Sequence, residues 1–297
     1  MFGRRPDGRR VKNLDPIIEF TPYIMPLRND AQNLCKIPLD CDNMARYIKQ
    51  QKISGHSITF MTIIIAAFVR TVSEHPEINR FIANKRIYAR NNISISFVVL
   101  KRTAGGEMDE AVCKIELNPD DTLYDVEQKI EGAVELSHDE QADTLTNGFA
   151  KMLLRVPGLP TLVVGLARLL DRYGILPPPI VDISPFHASM WITNMASISM
   201  TYIYHHIYNF GTTSIFLALG KTEKALQPLP GGDAGYKNQM TLGVVTDERI
   251  CGGVTYAQAF GTMRKYLMDP SLLEKKPASV KTEIPLKPAR DLIGKSK

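Results

Sequence analysis

The stretch MTLGVVTDERICGGVTYAQAFGTMRKYLMDPSLL, Met240 to Leu273, decides the fold. Its apolar and β-branched opening predicts a strand from Gln239 to Thr246. A short charged turn, DERICGG (Asp247 to Gly253), follows, and then a helix from about Val254 to Leu267. Tyr256, Phe260, Met263 and Leu267 fall on one helical face, and Pro270 stands just past the end.

Outward from this stretch the elements keep alternating. Ser189 to Asn194 and Thr213 to Gly220 read as strands. In Asn92 to Leu100, Ile93, Ile95 and Phe97 alternate with Ser94 and Ser96, the period of a half-buried strand. Ala31 to Leu39 reads as another strand, followed by a polar-faced helix from Asp42 to Gln51. Ser57 is placed to cap a helix that runs to Glu74 and halts before Pro76. Asp121 or Thr122 can cap one whose apolar face is Leu123, Val126, Ile130 and Val134. Residues 137–180 interrupt this rhythm. There Leu162, Val163, Leu166, Leu169 and Leu170 mark an amphipathic helix flanked by Arg168 and Arg172 and closed by Pro177, Pro178 and Pro179. The expectation is a helical pair packed on the body, ahead of a membrane-touching or lid element.

Composition narrows the class. Of 297 residues, 44% are hydrophobic and 23% charged, and 36 Lys+Arg against 31 Asp+Glu give a net charge of +5. These values exclude disordered, collagen-like and coiled-coil chains. Cys35, Cys41, Cys113 and Cys251 are scattered, with no CxxC pair or Cys/His cluster at zinc spacing. No disulfide framework or metal site is therefore expected, and a reducing, cytoplasmic location is. From Ile183 to Gly220 the chain carries no Asp, Glu, Lys or Arg. The Ser, Thr, Asn and His content and the near-alternate β-branched residues predict buried strands there, not a membrane span. Arg4, Arg5, Arg9, Arg10 and Lys12 form a basic arm without interleaved aromatics, so no nucleic-acid partner is expected. The organisation expected is an arm (1–29), one large α/β domain (30–273) with a helical insertion (137–180), and a Lys/Pro-rich tail (274–297).

Three segments in order resemble a known family. Met240 to Leu273 is similar to the last strand, active-site turn and closing helix of the 2-oxo acid dehydrogenase acyltransferases, whose turn is written DHRxxDG. The wider chloramphenicol acetyltransferase superfamily writes it HHxxxDG. SITFMTIIIAAFVRTVSEHPEINRF, Ser57 to Phe81, resembles the family's long helix and the PExN-type turn that follows it. MWITNMASISM, Met190 to Met200, resembles its FTISNLG segment. The resemblance implies a chloramphenicol acetyltransferase-like two-layer sandwich, a mixed sheet with helices on one face. It further implies a homotrimer, or a multiple of three, and coenzyme A or acyl-CoA as substrate. The residues ahead of the match hold neither a lipoyl nor a subunit-binding domain, so a stand-alone catalytic-type domain without its own lipoyl group is expected.

In that family a histidine deprotonates the attacking thiol or hydroxyl, and a Ser or Thr hydroxyl from the neighbouring subunit donates to the tetrahedral oxyanion. Thr193 matches the hydroxyl position. Glu248 stands where the histidine belongs, Gly252 where the aspartate belongs, and Asp247, Arg249 and Gly253 keep the rest of the turn. Carboxylates ordinarily titrate near 4.3, about two units below imidazole, and are weak bases toward a thiol near 8.5. Glu248 is thus either an altered base or an ordinary loop carboxylate. His187, in SPFH, and His205 and His206, in YIYHHIYNFG, are the candidates for a relocated base, each weighed against a hydrogen-bonded structural role. The resemblance leaves two functions open: acyl transfer to an unknown acceptor, or a non-catalytic trimeric scaffold or acyl-ligand binder.

Overall fold

A computed structural model of the chain describes residues 5–102, 108–137, 152, 154–228 and 231–290. In chain order the main elements are β1 (Gly8–Arg10), α1 (Pro16–Ile24), β2 (Gln32–Asp40), α2 (Asp42–Ile53), α3 (Phe60–Glu74), β3 (Arg80–Ala83) and β4 (Arg86–Arg90). Next come β5 (Ile93–Arg102), β6 (Met108–Leu117), α4 (Leu123–Ser137), α5 (Leu159–Tyr173), α6 (Pro178–Ile183) and β7 (Met190–Asn194). The chain continues with β8 (Ile215–Leu219), β9 (Glu223–Pro228), β10 (Ala234–Asp247) and α7 (Gly253–Met268).

The strands form a seven-stranded sheet in the order β2-β10-β8-β7-β5-β6, with β9 pairing β10. The β5·β7 and β7·β8 pairs are parallel and the rest antiparallel, which makes the sheet mixed. Strands β1, β4 and β3 form a small separate sheet. Ile93, Ile95 and Phe97 point into the main core with Met190, Ile192, Leu217, Leu242 and Val244. Helices α2, α3, α4 and α7 close that core on the same side. Every residue of α3 from Thr62 to Ser73 is buried, which accounts for its apolar sequence all round. The fold is an α/β sandwich with helices on one sheet face.

The opposite face is covered differently. Trp191, Phe216 and Val245 pack there with Ile207, from an extended segment that crosses the sheet. The approach is so close that a Cβ on Gly243 would lie 2.0 Å from the Ile203 carbonyl oxygen. Gly243 is therefore required by contact, since its neighbour is backbone that cannot swing aside.

Local signals were read with one displacement. The α3 cap is Thr59, not Ser57. Its hydroxyl accepts from the Thr62 amide at 3.1 Å, while the Thr62 hydroxyl accepts from the Thr59 amide at 3.2 Å. The Ser57 amide instead donates to the Glu127 carboxylate. Both ends of the described chain are tied to the body. Arg5 is buried and β1 pairs with β4. At the other end the Lys281 amide donates to Ser73 O at 2.8 Å, and Arg290 bonds Glu116 (3.1 Å) and Asp182 (2.9 Å). Arg4 and most of the first half of 137–180 lie outside the described residues.

Candidate active site

Strand β10 ends in the turn that sequence singled out. Asp247 is fully buried, and its carboxylate accepts two 2.7 Å hydrogen bonds from Nε and Nη2 of Arg249. Arg249 Nη1 donates onward to Met25 O at 2.9 Å, tying the turn to the segment after α1. Arg28 Nε stands 3.7 Å from Asp247 Oδ2, an ion-pair rather than a hydrogen-bond distance. The Arg28 guanidinium also donates to Tyr208 O (3.1 Å) and Ile82 O (3.1 Å). Burial pushes its pKa down to about 10, with Asp247 opposing. The turn is thus held by the Asp247–Arg249 fork, a charge-assisted bidentate pair. It needs no side chain at Gly252, where an added Cβ would meet only open space.

Glu248 points elsewhere. It is half-buried, its amide donates to Ala31 O at 2.9 Å, and its Oε2 accepts from Asn33 Nδ2 at 2.9 Å. The thiol of Cys251, next in the turn, is pushed up to about 12 by burial, which keeps it in the unreactive protonated form.

Thr193 lies at the other end of the sheet. Thr193 pairs with Ala218, and Ala218 with Gly243, so Glu248 stands five residues further along β10 than the point level with Thr193. That is roughly 17 Å along the strand and about 10 Å across two strand spacings. Within one chain the two cannot share a substrate atom. Among the described residues the Thr193 hydroxyl contacts only Met195 Sδ, at 3.9 Å. The adjacent Asn194 Oδ1 is buried without a hydrogen-bond partner.

The three histidines separate. His187 shares the Glu248 end and is buried, with Nδ1 2.8 Å from Ser184 Oγ and Nε2 3.2 Å from Asp171 Oδ1. The latter contact has ion-pair length without hydrogen-bond alignment. Asp171 also accepts from Arg5 Nη2 at 2.6 Å. Burial would raise the Asp171 carboxyl, but His187 and Arg5 hold it down to about 2. Arg5 in turn pairs with Asp7, so His187 belongs to a buried charge network. A cavity of about 300 Å³ opens beside it, lined by Asp7, His187 and Lys114. Burial brings Lys114 down to about 8 while its ammonium donates to Val181 O and Ser184 O, both at 3.0 Å. His205 lies midway along the sheet face away from the helices, its ring stacked on Phe216 at 4.0 Å between centroids. Burial lowers its pKa. His206 is exposed.

Reading the sequence missed Arg28, Asn33, Asp171 and Arg5 as partners of this region. Apart from Arg5 with Asp7, none stands near its partner along the chain, so only pairing across the sheet and the packing of α5 could bring them in.

This arrangement is the chloramphenicol acetyltransferase-like fold, shared by the catalytic cores of dihydrolipoamide acetyltransferases. A probable dihydrolipoamide acetyltransferase from Listeria monocytogenes superposes with a TM-score of 0.54 at 14% identity, over 92% of this chain and 98% of that one. The Azotobacter vinelandii dihydrolipoamide acetyltransferase gives 0.51 at 14%, over 89% and 94%. A chloramphenicol acetyltransferase gives 0.50 at 10%, over 88% and 99%. By sequence, no family model and no curated protein matches the chain. At these identities the likeness establishes the fold.

Proposed function

We propose that the chain is an acyltransferase acting on coenzyme A or a carrier thiol, with its site assembled between subunits of a homotrimer. The observation that carries this reading is the division of the site. The built turn with Glu248 and the bare hydroxyl of Thr193 occupy opposite ends of one sheet, so a neighbouring copy is needed to join them. The Azotobacter vinelandii enzyme is described in terms of the role of a serine, a histidine and an asparagine in its catalytic mechanism, the last two four residues apart. Glu248 and Gly252 have the same separation.

In the proposed step an acceptor hydroxyl, amine or thiol attacks the acyl carbonyl carbon, and Glu248 takes the proton it loses. The carbonyl oxygen becomes an oxyanion that accepts a hydrogen bond from the Thr193 hydroxyl. Collapse of the intermediate breaks the bond to sulfur, and the departing thiolate receives the proton from Glu248. A carboxylate of ordinary basicity gives up about 5–6 kcal/mol in deprotonating a thiol. An acceptor activated as the new bond forms, such as an amine or alcohol, is therefore favoured over free thiol exchange.

The second reading, a non-catalytic acyl-ligand binder, draws on the engagement of Glu248 by Asn33. Incubating the protein with a panel of acyl-CoA species and amine, alcohol and thiol acceptors separates the two. Acyl transfer that falls about 10²-fold in kcat in Thr193→Ala, and at least as far in Glu248→Gln, is the result expected of the enzyme. Ligand binding with no transfer by the parent, unchanged in Glu248→Gln, is the result expected of the binder. Light scattering should return three copies or a multiple of three.

A further inference from the structure

Helix α5 does not hide its apolar stripe. Asp171 is its buried residue, while Leu162, Leu166, Leu169 and Tyr173, spaced along one face, are 68%, 53%, 52% and 42% exposed. Ile175, Ile180 and Ile183 continue the exposed apolar surface past its end. From residue 154 to residue 181 the one carboxylate is Asp171, which is paired internally with Arg5, while Arg155, Arg168 and Arg172 are exposed. Where α5 meets the segment after α1 and the β3–β4 turn, a cavity of about 370 Å³ is lined by Arg28, Lys85, Arg168, Arg172 and Arg249, with Asp171 as its one acidic lining residue. Arg172 is held there by Asn84 Oδ1 at 3.1 Å, and Lys85 lies 5.3 Å from the Tyr23 ring centre.

An apolar stripe bordered by cations, on a helix too short to span a bilayer, fits the interfacial plane of a membrane. Among the described residues no helix is long and apolar enough to cross one. We infer that α5 docks the protein on an anionic phospholipid surface, with Leu162, Leu166 and Leu169 entering the headgroup boundary. Lys85, Arg168 and Arg172 meet the lipid phosphates. The charge pattern selects this occupant: Lys85, Arg168 and Arg172 line the adjoining cavity, the one carboxylate of the segment is already paired with Arg5, and a two-fold contact between copies would set the same cations against one another. The inference stands apart from the acyl-transfer reading and from Glu248.

The test is co-sedimentation of the full chain with vesicles of phosphatidylcholine alone and of phosphatidylcholine with about a third phosphatidylserine. Binding to the anionic vesicles, strongly reduced at about 1 M salt where the Debye length shrinks to about 3 Å, is expected. Arg168→Glu/Arg172→Glu should weaken it by about tenfold or more. Leu162→Glu/Leu166→Glu/Leu169→Glu should abolish it with the melting temperature and the solution mass unchanged, since these side chains already face solvent. Three results overturn the proposal: no sedimentation with anionic vesicles, equal binding to phosphatidylcholine alone, or a smaller solution mass in the triple-Leu variant. The last would make the face a contact between copies. Acyl transfer, present or absent, bears on none of them.

Discussion

The two ends of the main sheet are built on opposite terms. At the Glu248 end, Asp247, Arg249 and Arg28 are buried together, and nearby Asp171 and Arg5 form a second buried charge pair with His187 against it. At the Thr193 end, a hydroxyl touches a methionine sulfur and a neighbouring amide oxygen is buried without a partner. The first end holds its shape through charge pairing in a low-dielectric setting, although Arg28 Nε and His187 Nε2 have no hydrogen-bond partner there. The second leaves hydrogen-bonding capacity unused: the buried Asn194 Oδ1 costs about 1–3 kcal/mol in folding and stays able to accept from an outside donor. Buried charge pairs are expensive to break once formed, whereas an unengaged hydroxyl is cheap to remove. The contrast predicts that stability resides mainly at the first end, whereas, on the proposed function, turnover draws on both.

The largest effect that could break this contrast is at Asp247. Asp247→Asn leaves Arg249 and Arg28 buried without their counter-charge and should cost about 3–5 kcal/mol in urea unfolding. A loss below about 1 kcal/mol would mean that the turn is not held by its charges.

Next is the acid limb of the stability curve. The Asp171 carboxyl is held at about 2 in the folded chain, below its unfolded value, so it contributes about 2 kcal/mol at neutral pH. That contribution is complete above about pH 4 and disappears as the pH falls through about 2. Urea midpoints measured across this window should fall in the parent, and Asp171→Asn should start lower and lose less. Parallel curves would remove Asp171 from the account.

The smallest effect is the most diagnostic. Thr193→Ala should change stability by less than about 0.5 kcal/mol, because its hydroxyl makes no strong bond within the chain. A loss above about 1 kcal/mol would show that the two ends are not so different.

Much of the fold was legible because it rests on short-range pattern. The alternation of Ile93, Ile95 and Phe97 with serines, the Leu123–Val126–Ile130 stripe and the strand–turn–helix of Met240 to Leu273 each announce their own element. Strands β3, β4, β6 and β9 and helix α1 were not read. They are short, polar or proline-interrupted, and their conformation is fixed by neighbours. Candidate residues at the turn were legible by resemblance. Their partners were not, since Arg28 reaches Asp247 and Asn33 reaches Glu248 only through the pairing of β2 with β10. Helix α5 shows the same limit: its apolar stripe was visible in sequence, but which way that stripe faces was not.

The sequence by itself therefore determined the element types, because hydrophobic period and capping act over a few residues, while the mixed α/β class and the candidate turn were legible through the resemblance. Tertiary structure alone decided that Thr193 and Glu248 stand at opposite ends of the sheet and that His187 is bound into a charge network. It also decided that the leucines of α5 face outward. Each of these depends on strand register and on packing between residues far apart in the chain, where local propensity carries no information.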